Sequence, residues 1–261
     1  MKLNFHAAGH GPPLLILHGL LGSLDNWMPH AQALSTRFQV FLLDLRNHGR
    51  SPHAAEFSYD LMAGDLAEFI RDKDLGAVNL LGHSMGGKVA MRFAQLNPAL
   101  MQKLIVADMS PREYPSRYAE ILAAMLTLDL SQLQQRAEAE AALNAVAPEK
   151  SLRQFLLKNI GRDSGGRMCW KPNVASLAAN YTLIRGALPA TPVFAGPTLF
   201  IRGGRSDYIQ DEDIASIRQI FPQARLETID TAGHWLHAEA PAEFLRLVTT
   251  FLGAEAPTSI G

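Results

Sequence analysis

Ser84 stands in Gly82-His83-Ser84-Met85-Gly86-Gly87-Lys88, a segment that fits two chemistries. Read as G-x-x-x-x-G-K, it approaches a phosphate-binding loop. Such a loop needs a Ser or Thr after the lysine to hold magnesium, and Val89 stands there. Lys88 is therefore read as a solvated residue on a helix. Read as G-x-S-x-G, the segment is a nucleophile elbow, in which a tight turn between strand and helix lifts the serine hydroxyl out of the backbone. Gly82 and Gly86 would remove the Cβ atoms that crowd such a turn. The alternative role for Ser84 is a helix N-cap.

A nucleophilic serine needs a general base, a group that orients the base, and donors for the oxyanion. The backbone N–H of Met85 is the expected first donor. Leu20, in Leu14-Leu15-Ile16-Leu17-His18-Gly19-Leu20, supplies the expected second, since Gly19 lets the chain turn sharply at a strand end. Of the nine histidines, His234 in "TAGHWLHAE" follows the last strand and precedes the last helix, which makes it the expected base. His237 is expected to pack or sit at a rim, His83 to point away from Ser84, and His48 to brace a loop. Two acids end strands on the same side as Ser84: Asp108 in "LIVADMSP" and Asp207 in "FIRGGRSDYI". Fold logic favours Asp207, and either could hold the imidazole tautomer.

These residues must be positioned by strands. Short runs at 14–17, 38–44, 78–81, 103–107, 198–201 and 224–229 read as strands, and several are too continuously apolar to alternate, as expected for strands buried on both faces of a parallel sheet. Helical patterns separate them, at "SYDLMAGDLAEFIRDKDL", "MGGKVAMRFAQLNP", "DEDIASIRQIFPQ" and "PAEFLRLVTTFL". The alternation predicts an α/β fold with a mostly parallel, doubly wound sheet. From about 112 to 190 the pattern changes to helices without a good strand, with a turn at "GRDSGGRM" (161–168). Residues 1–111 and 191–261 are thus expected to form the core domain, and 112–190 a helical cap inserted between late strands, over the C-terminal strand ends where α/β ligands bind. The tail from 253 to 261 is expected to be loose.

The 261-residue chain has 48% hydrophobic and 19% charged residues, which suits a globular domain. A net charge of −1 argues against a nucleic-acid partner. No apolar run approaches the length of a membrane span, and the first residues lack the apolar stretch of a secretory signal. One cysteine, Cys169, excludes an internal disulfide and fits a cytoplasmic location; it is expected to pack as a small hydrophobe.

Together, "HGLLGSLDNW", "DLRNHGRS", "GHSMGGKVAM", "VADMSPREY" and "TAGHWLHAE" resemble the YbfF-type esterases of the α/β-hydrolase superfamily, in order from about residue 12 to 245. The Arg-Asn-His-Gly stretch at 46–49 is the most discriminating piece. The resemblance implies a serine hydrolase that cleaves carboxylic esters, and extends to acyl-CoA thioesters, under a helical cap, with no metal and no cofactor. It also implies that the acid comes from the Asp108-Met109-Ser110-Pro111 segment. Asp108 is carried forward as the acid, with Asp207 as the alternative.

The expected substrate pocket comprises Trp27, Leu21, Tyr114, Tyr118, Tyr208 and Trp235, beside the oxyanion residues Leu20 and Met85. Arg112 and Arg117 are expected to be solvated, with an anionic leaving group such as a CoA phosphate as the alternative partner. The partner is a small-molecule ester or thioester, and the oligomeric state is open. A carbon–carbon bond hydrolase or a perhydrolase could use the same triad. A slow-turnover ligand receptor could keep it. Ser84 argues against dehalogenases and epoxide hydrolases, whose nucleophile is a carboxylate.

Overall fold

The computed structural model describes residues 1–133 and 135–253. Seven strands build the main sheet: β1 (Phe5–Ala8), β2 (Pro13–Leu17), β3 (Gln39–Leu43), β4 (Val78–His83), β5 (Met101–Ala107), β8 (Thr198–Gly203) and β9 (Ala224–Ile229). Their order is β1-β3-β2-β4-β5-β8-β9. All neighbours are parallel except β1, which pairs antiparallel with β3 at the edge.

The continuous apolar runs are explained by burial on both faces. Along β2, Leu15 and Leu17 join one apolar cluster while Leu14 and Ile16 join the other. Leu104 and Val106 of β5 likewise oppose Ile105 and Ala107. Because side chains alternate across a strand, neither face can be polar. β1 escaped the sequence pattern because it is four residues long and half exposed, with no apolar run to detect.

The helices Tyr59–Asp72, Met85–Leu96, Asp213–Ile220 and Pro241–Leu252 cover the sheet at the anticipated places. Ser58 caps the first by accepting the Leu61 N–H, and Pro98 follows the Asn97 that ends the second.

Between β5 and β8 lie the helices Ala119–Thr127, Arg136–Leu143, Lys150–Leu157, Val174–Ala179 and Tyr181–Arg185. The segment also holds a hairpin, β6 (Ile160–Arg162) and β7 (Met168–Trp170). The expectation of no strand there is corrected. Three-residue strands carry too little pattern to read, and the expected turn at 161–168 is the one that joins them. Ile121, Leu122, Leu143, Leu156 and Ile184 of this segment share one apolar cluster with Met85 and Val89 of the core. The expected loose tail lies outside the described residues beyond Gly253.

Parallel register aligns the strand ends. Leu17 pairs with Gly82, His83 with Ala107, Ala107 with Ile201, and Gly203 with Ile229. The loops after β2, β4, β5, β8 and β9 therefore leave one edge of the sheet side by side.

Candidate active site

Ser84 follows β4 at φ 53° and ψ −124°, a conformation that costs a non-glycine residue on the order of 1–3 kcal/mol and persists only where the surroundings enforce it. They do. A Cβ on Gly82 would stand 2.1 Å from the Gly86 carbonyl oxygen, and one on Gly86 would stand 2.5 Å from the His18 carbonyl oxygen. The two glycines let β4, its helix and the end of β2 meet. The Ser84 N–H is held by the Ala107 carbonyl at 3.1 Å.

Ser84 Oγ lies 3.0 Å from His234 Nε2, and His234 Nδ1 lies 2.8 Å from Asp108 Oδ2. Asp108 is fully buried. It also accepts the Gly203 N–H at 3.0 Å and the Ser206 hydroxyl. An ionised carboxylate only accepts, so His234 Nδ1 carries its hydrogen and Nε2 is left to accept from Ser84. Tyr208 stacks on the imidazole at 3.6 Å between centroids and 14° between planes. His83 points away from Ser84, as anticipated, and donates from Nε2 to the His234 carbonyl at 2.9 Å.

Asp207 is not brought to His234. Ser206 faces Asp108, whereas its neighbour Asp207 is 57% exposed and forms a bidentate pair with Arg117. That guanidinium pulls the Asp207 carboxyl below its ordinary value. Arg112 pairs with Asp213 at 3.0 Å and donates to the Asp207 carbonyl at 2.9 Å. Arg117 is exposed, as anticipated, though paired with Asp207, whereas Arg112 is partly covered.

Met85 opens the helix after Ser84, where the first N–H groups have no intrahelical acceptor. Leu20 lies in a loop fixed on both sides. The Gly19 carbonyl accepts from Gly22 N–H at 2.9 Å and His18 Nδ1 at 2.8 Å, and the Leu21 N–H is accepted by His48 Nε2 at 3.2 Å. His48 thus braces this loop. Arg46 beside it forms a bidentate pair with Asp65 at 2.7 and 2.9 Å. The Arg-Asn-His-Gly stretch, the sharpest sequence signal, therefore stands behind the Leu20 loop.

Two cavities meet at Ser84. The larger, about 400 Å³, is lined by Trp27, His234 and Trp235 among others. The smaller, about 40 Å³, is lined by Met85, Tyr114 and Tyr208 among others. Leu20, Ser84 and Tyr118 line both. Leu21 lines neither. Its backbone is left-handed at φ 57°, and the side chain is fully buried in the apolar core with Leu17 and Leu43, so its assignment to the pocket is corrected.

Lys88 is also corrected. It is fully buried and donates to the carbonyls of Arg112 at 2.8 Å, Arg185 at 3.3 Å and Gly186. Its ammonium lies 4.9 Å from the Tyr114 ring centroid. Burial pushes its pKa down to about 7. Sequence reasoning missed this because a lysine inside G-x-x-x-x-G-K is indistinguishable from a surface lysine until the segment that covers it is placed. Ser206 was missed for a similar reason; only the β5–β8 pairing brings it to Asp108.

Burial holds His18, His30, His48, His83 and His237 below the ordinary imidazole value, His48 and His237 down to about 3. His237 packs as anticipated, stacked on Trp27 at 4.3 Å. An imidazole whose folded pKa is depressed stabilises the fold fully above its unfolded pKa of about 6.5, and that stability is lost as pH falls toward the folded value. Each such group removes up to roughly 1.4 kcal/mol per pH unit. The melting temperature should therefore fall steeply between about pH 6.5 and pH 4.5, before most carboxylates protonate. A flat profile there would contradict neutral burial.

Among the described residues, no helix is long and apolar enough to cross a membrane, and no group of three or more His, Cys, Asp or Glu residues could hold a metal ion.

Residues 12–241 match the family model of the alpha/beta hydrolase fold. The chain is 35% identical to Esterase YbfF of Escherichia coli, over 97% of this chain and 99% of that protein. It is 38% identical to the mouse (Mus musculus) sn-1-specific diacylglycerol lipase ABHD11, over 92% of this chain and 81% of that one. A solved structure titled marine microorganism esterase superposes with a TM-score of 0.93 at 45% identity, covering 96% of this chain and 99% of its own. The chain belongs to the α/β-hydrolase family and, within it, to the YbfF-type esterases.

Proposed function

We propose that this protein hydrolyses carboxylic esters by two-step acyl transfer, with Ser84 as nucleophile, His234 as base and Asp108 as the acid that orients it. The observation that carries the reading is the continuous chain Ser84 Oγ–His234 Nε2, His234 Nδ1–Asp108 Oδ2 at 3.0 and 2.8 Å. His234 takes the hydroxyl proton as Oγ bonds to the ester carbonyl carbon. The N–H groups of Met85 and Leu20 stabilise the oxyanion. The carbon–oxygen bond to the alcohol then breaks, and His234 Nε2 delivers its proton to the leaving oxygen. A water deprotonated by the same nitrogen attacks the acyl-enzyme and releases the acid.

Residues 112–190 act as the cap of this site, because Tyr118, Phe155 and Lys158 line the larger cavity with Ser84. Thioester cleavage gains no support from the arginines considered for it, since Arg112 and Arg117 are paired with Asp213 and Asp207. With a single cysteine and no internal disulfide to maintain, the cytoplasm is the proposed location.

A serine-directed fluorophosphonate tests the reading. It should label one site, Ser84, and stop hydrolysis of a short chromogenic ester in proportion to labelling. Full turnover after complete labelling would sink the assignment.

A further inference from the structure

The two cavities at Ser84 differ tenfold in volume, about 400 against 40 Å³, and only the larger is lined by His234. Given the triad reading above, on which this inference rests, the difference orients the substrate. The oxygen that leaves must receive a proton from His234 Nε2, so the alcohol has to lie on the side of Ser84 where that ring is exposed. On the other side Tyr208 covers the imidazole face, and Tyr208 with Met85 forms part of the wall. The geometry points to esters of a short acyl group with a bulky alcohol, the acyl tail seated in the small chamber and the alcohol in the large one. After acylation, the departed alcohol leaves the large chamber to the water, which must also reach His234.

The volume sets the acyl length. A cavity needs on the order of 10–15 Å³ to hold one water-sized group, so a chamber of about 40 Å³ limits the acyl tail to a few carbons beyond the carbonyl. Acetyl, propionyl and butyryl fit; hexanoyl does not. The walls are tied in place and cannot easily yield. Tyr114 donates to the Tyr208 carbonyl at 2.7 Å and accepts the Ser110 N–H at 2.7 Å. The Tyr181 hydroxyl accepts the Tyr118 N–H at 2.7 Å. Behind Ile184, which lines the chamber, the Lys88 ammonium holds the carbonyls of Arg185 and Gly186. Lys88 thus supports the chamber from outside and touches no reacting atom. The large chamber is within the size range of sites for drug-sized ligands, and Trp27, Phe155 and Trp235 give it aromatic walls.

The test is a pair of ester series on the full chain. With p-nitrophenol as the constant leaving group, kcat/KM should hold from acetyl to butyryl, then fall about tenfold or more per added methylene. With acetyl constant, enlarging the alcohol from ethyl to naphthyl should preserve or raise kcat/KM. Ile184→Ala should move the break to longer acyl chains, and Ile184→Phe should move it to acetyl. Octanoyl turned over as fast as acetyl would overturn the inference. So would an acetyl series that falls with alcohol size, or an unmoved break in an Ile184 variant that still cleaves acetyl esters. Absence of ester cleavage across both series, with Ser84 unlabelled by the fluorophosphonate, would instead refute the esterase reading itself.

Discussion

Ser84→Ala should abolish ester hydrolysis and leave the fold intact. Replacing a triad serine costs on the order of 10⁶ in kcat, because base and acid have nothing left to activate. A residual rate above that of water, supplied by binding and the oxyanion donors, is expected. The fold should survive for a local reason. The strain at φ 53° falls on the backbone, and alanine bears it as serine does, since both carry a Cβ. The close approaches around Gly82 and Gly86 are untouched. Melting temperature measured beside kcat separates the two effects. Wild-type turnover in a folded variant would end the nucleophile assignment; an unfolded variant would show that the hydroxyl holds the elbow.

The second large effect separates the two aspartates. Asp108→Asn should lower kcat by about 10⁴, as loss of the orienting carboxylate leaves the imidazole in the wrong tautomer. The amide cannot accept on every lone pair that Gly203, Ser206 and His234 now use. Asp207→Asn should leave kcat near wild type. Its partner Arg117 and its own side chain are partly or largely exposed, and such pairs contribute less than about 1 kcal/mol. Steady-state kinetics of both variants decide the matter. Equal, mild losses would mean that neither carboxylate orients His234.

The inner strands were legible because burial on two faces demands apolar residues at successive positions, and such runs stand out, while the edge strand β9 alternates. Six of the seven main strands were bounded to within two residues at their N-terminal ends, where the runs begin. The exceptions show what the pattern needs. β1 is half exposed and four residues long, and β6 and β7 have three residues each. Strands that short, stabilised by a partner and not by their own burial, leave no periodicity. The helices between β5 and β8 were legible as amphipathic stretches, but their placement was not. Lys88 looked like a surface charge because nothing along the chain says that Arg112, Arg185 and Gly186 will present carbonyls to it.

Local chemistry in the chain was enough to single out Ser84 and His234 as the candidate nucleophile and base. The glycines around Ser84 serve a turn built from adjacent residues, and the position of His234 after the last strand follows from chain order. The acid was different. Asp108 and Asp207 each end a strand on the correct edge; the resemblance favoured Asp108 and fold logic Asp207, and neither shows which reaches His234. Register and backbone direction decided it: β5 pairs with β8 so that the Gly203 N–H and Ser206 face Asp108, while the next residue turns outward to Arg117. The division of the pocket was decided the same way, because a cavity is the space between elements distant in sequence, and its volume belongs to their packing.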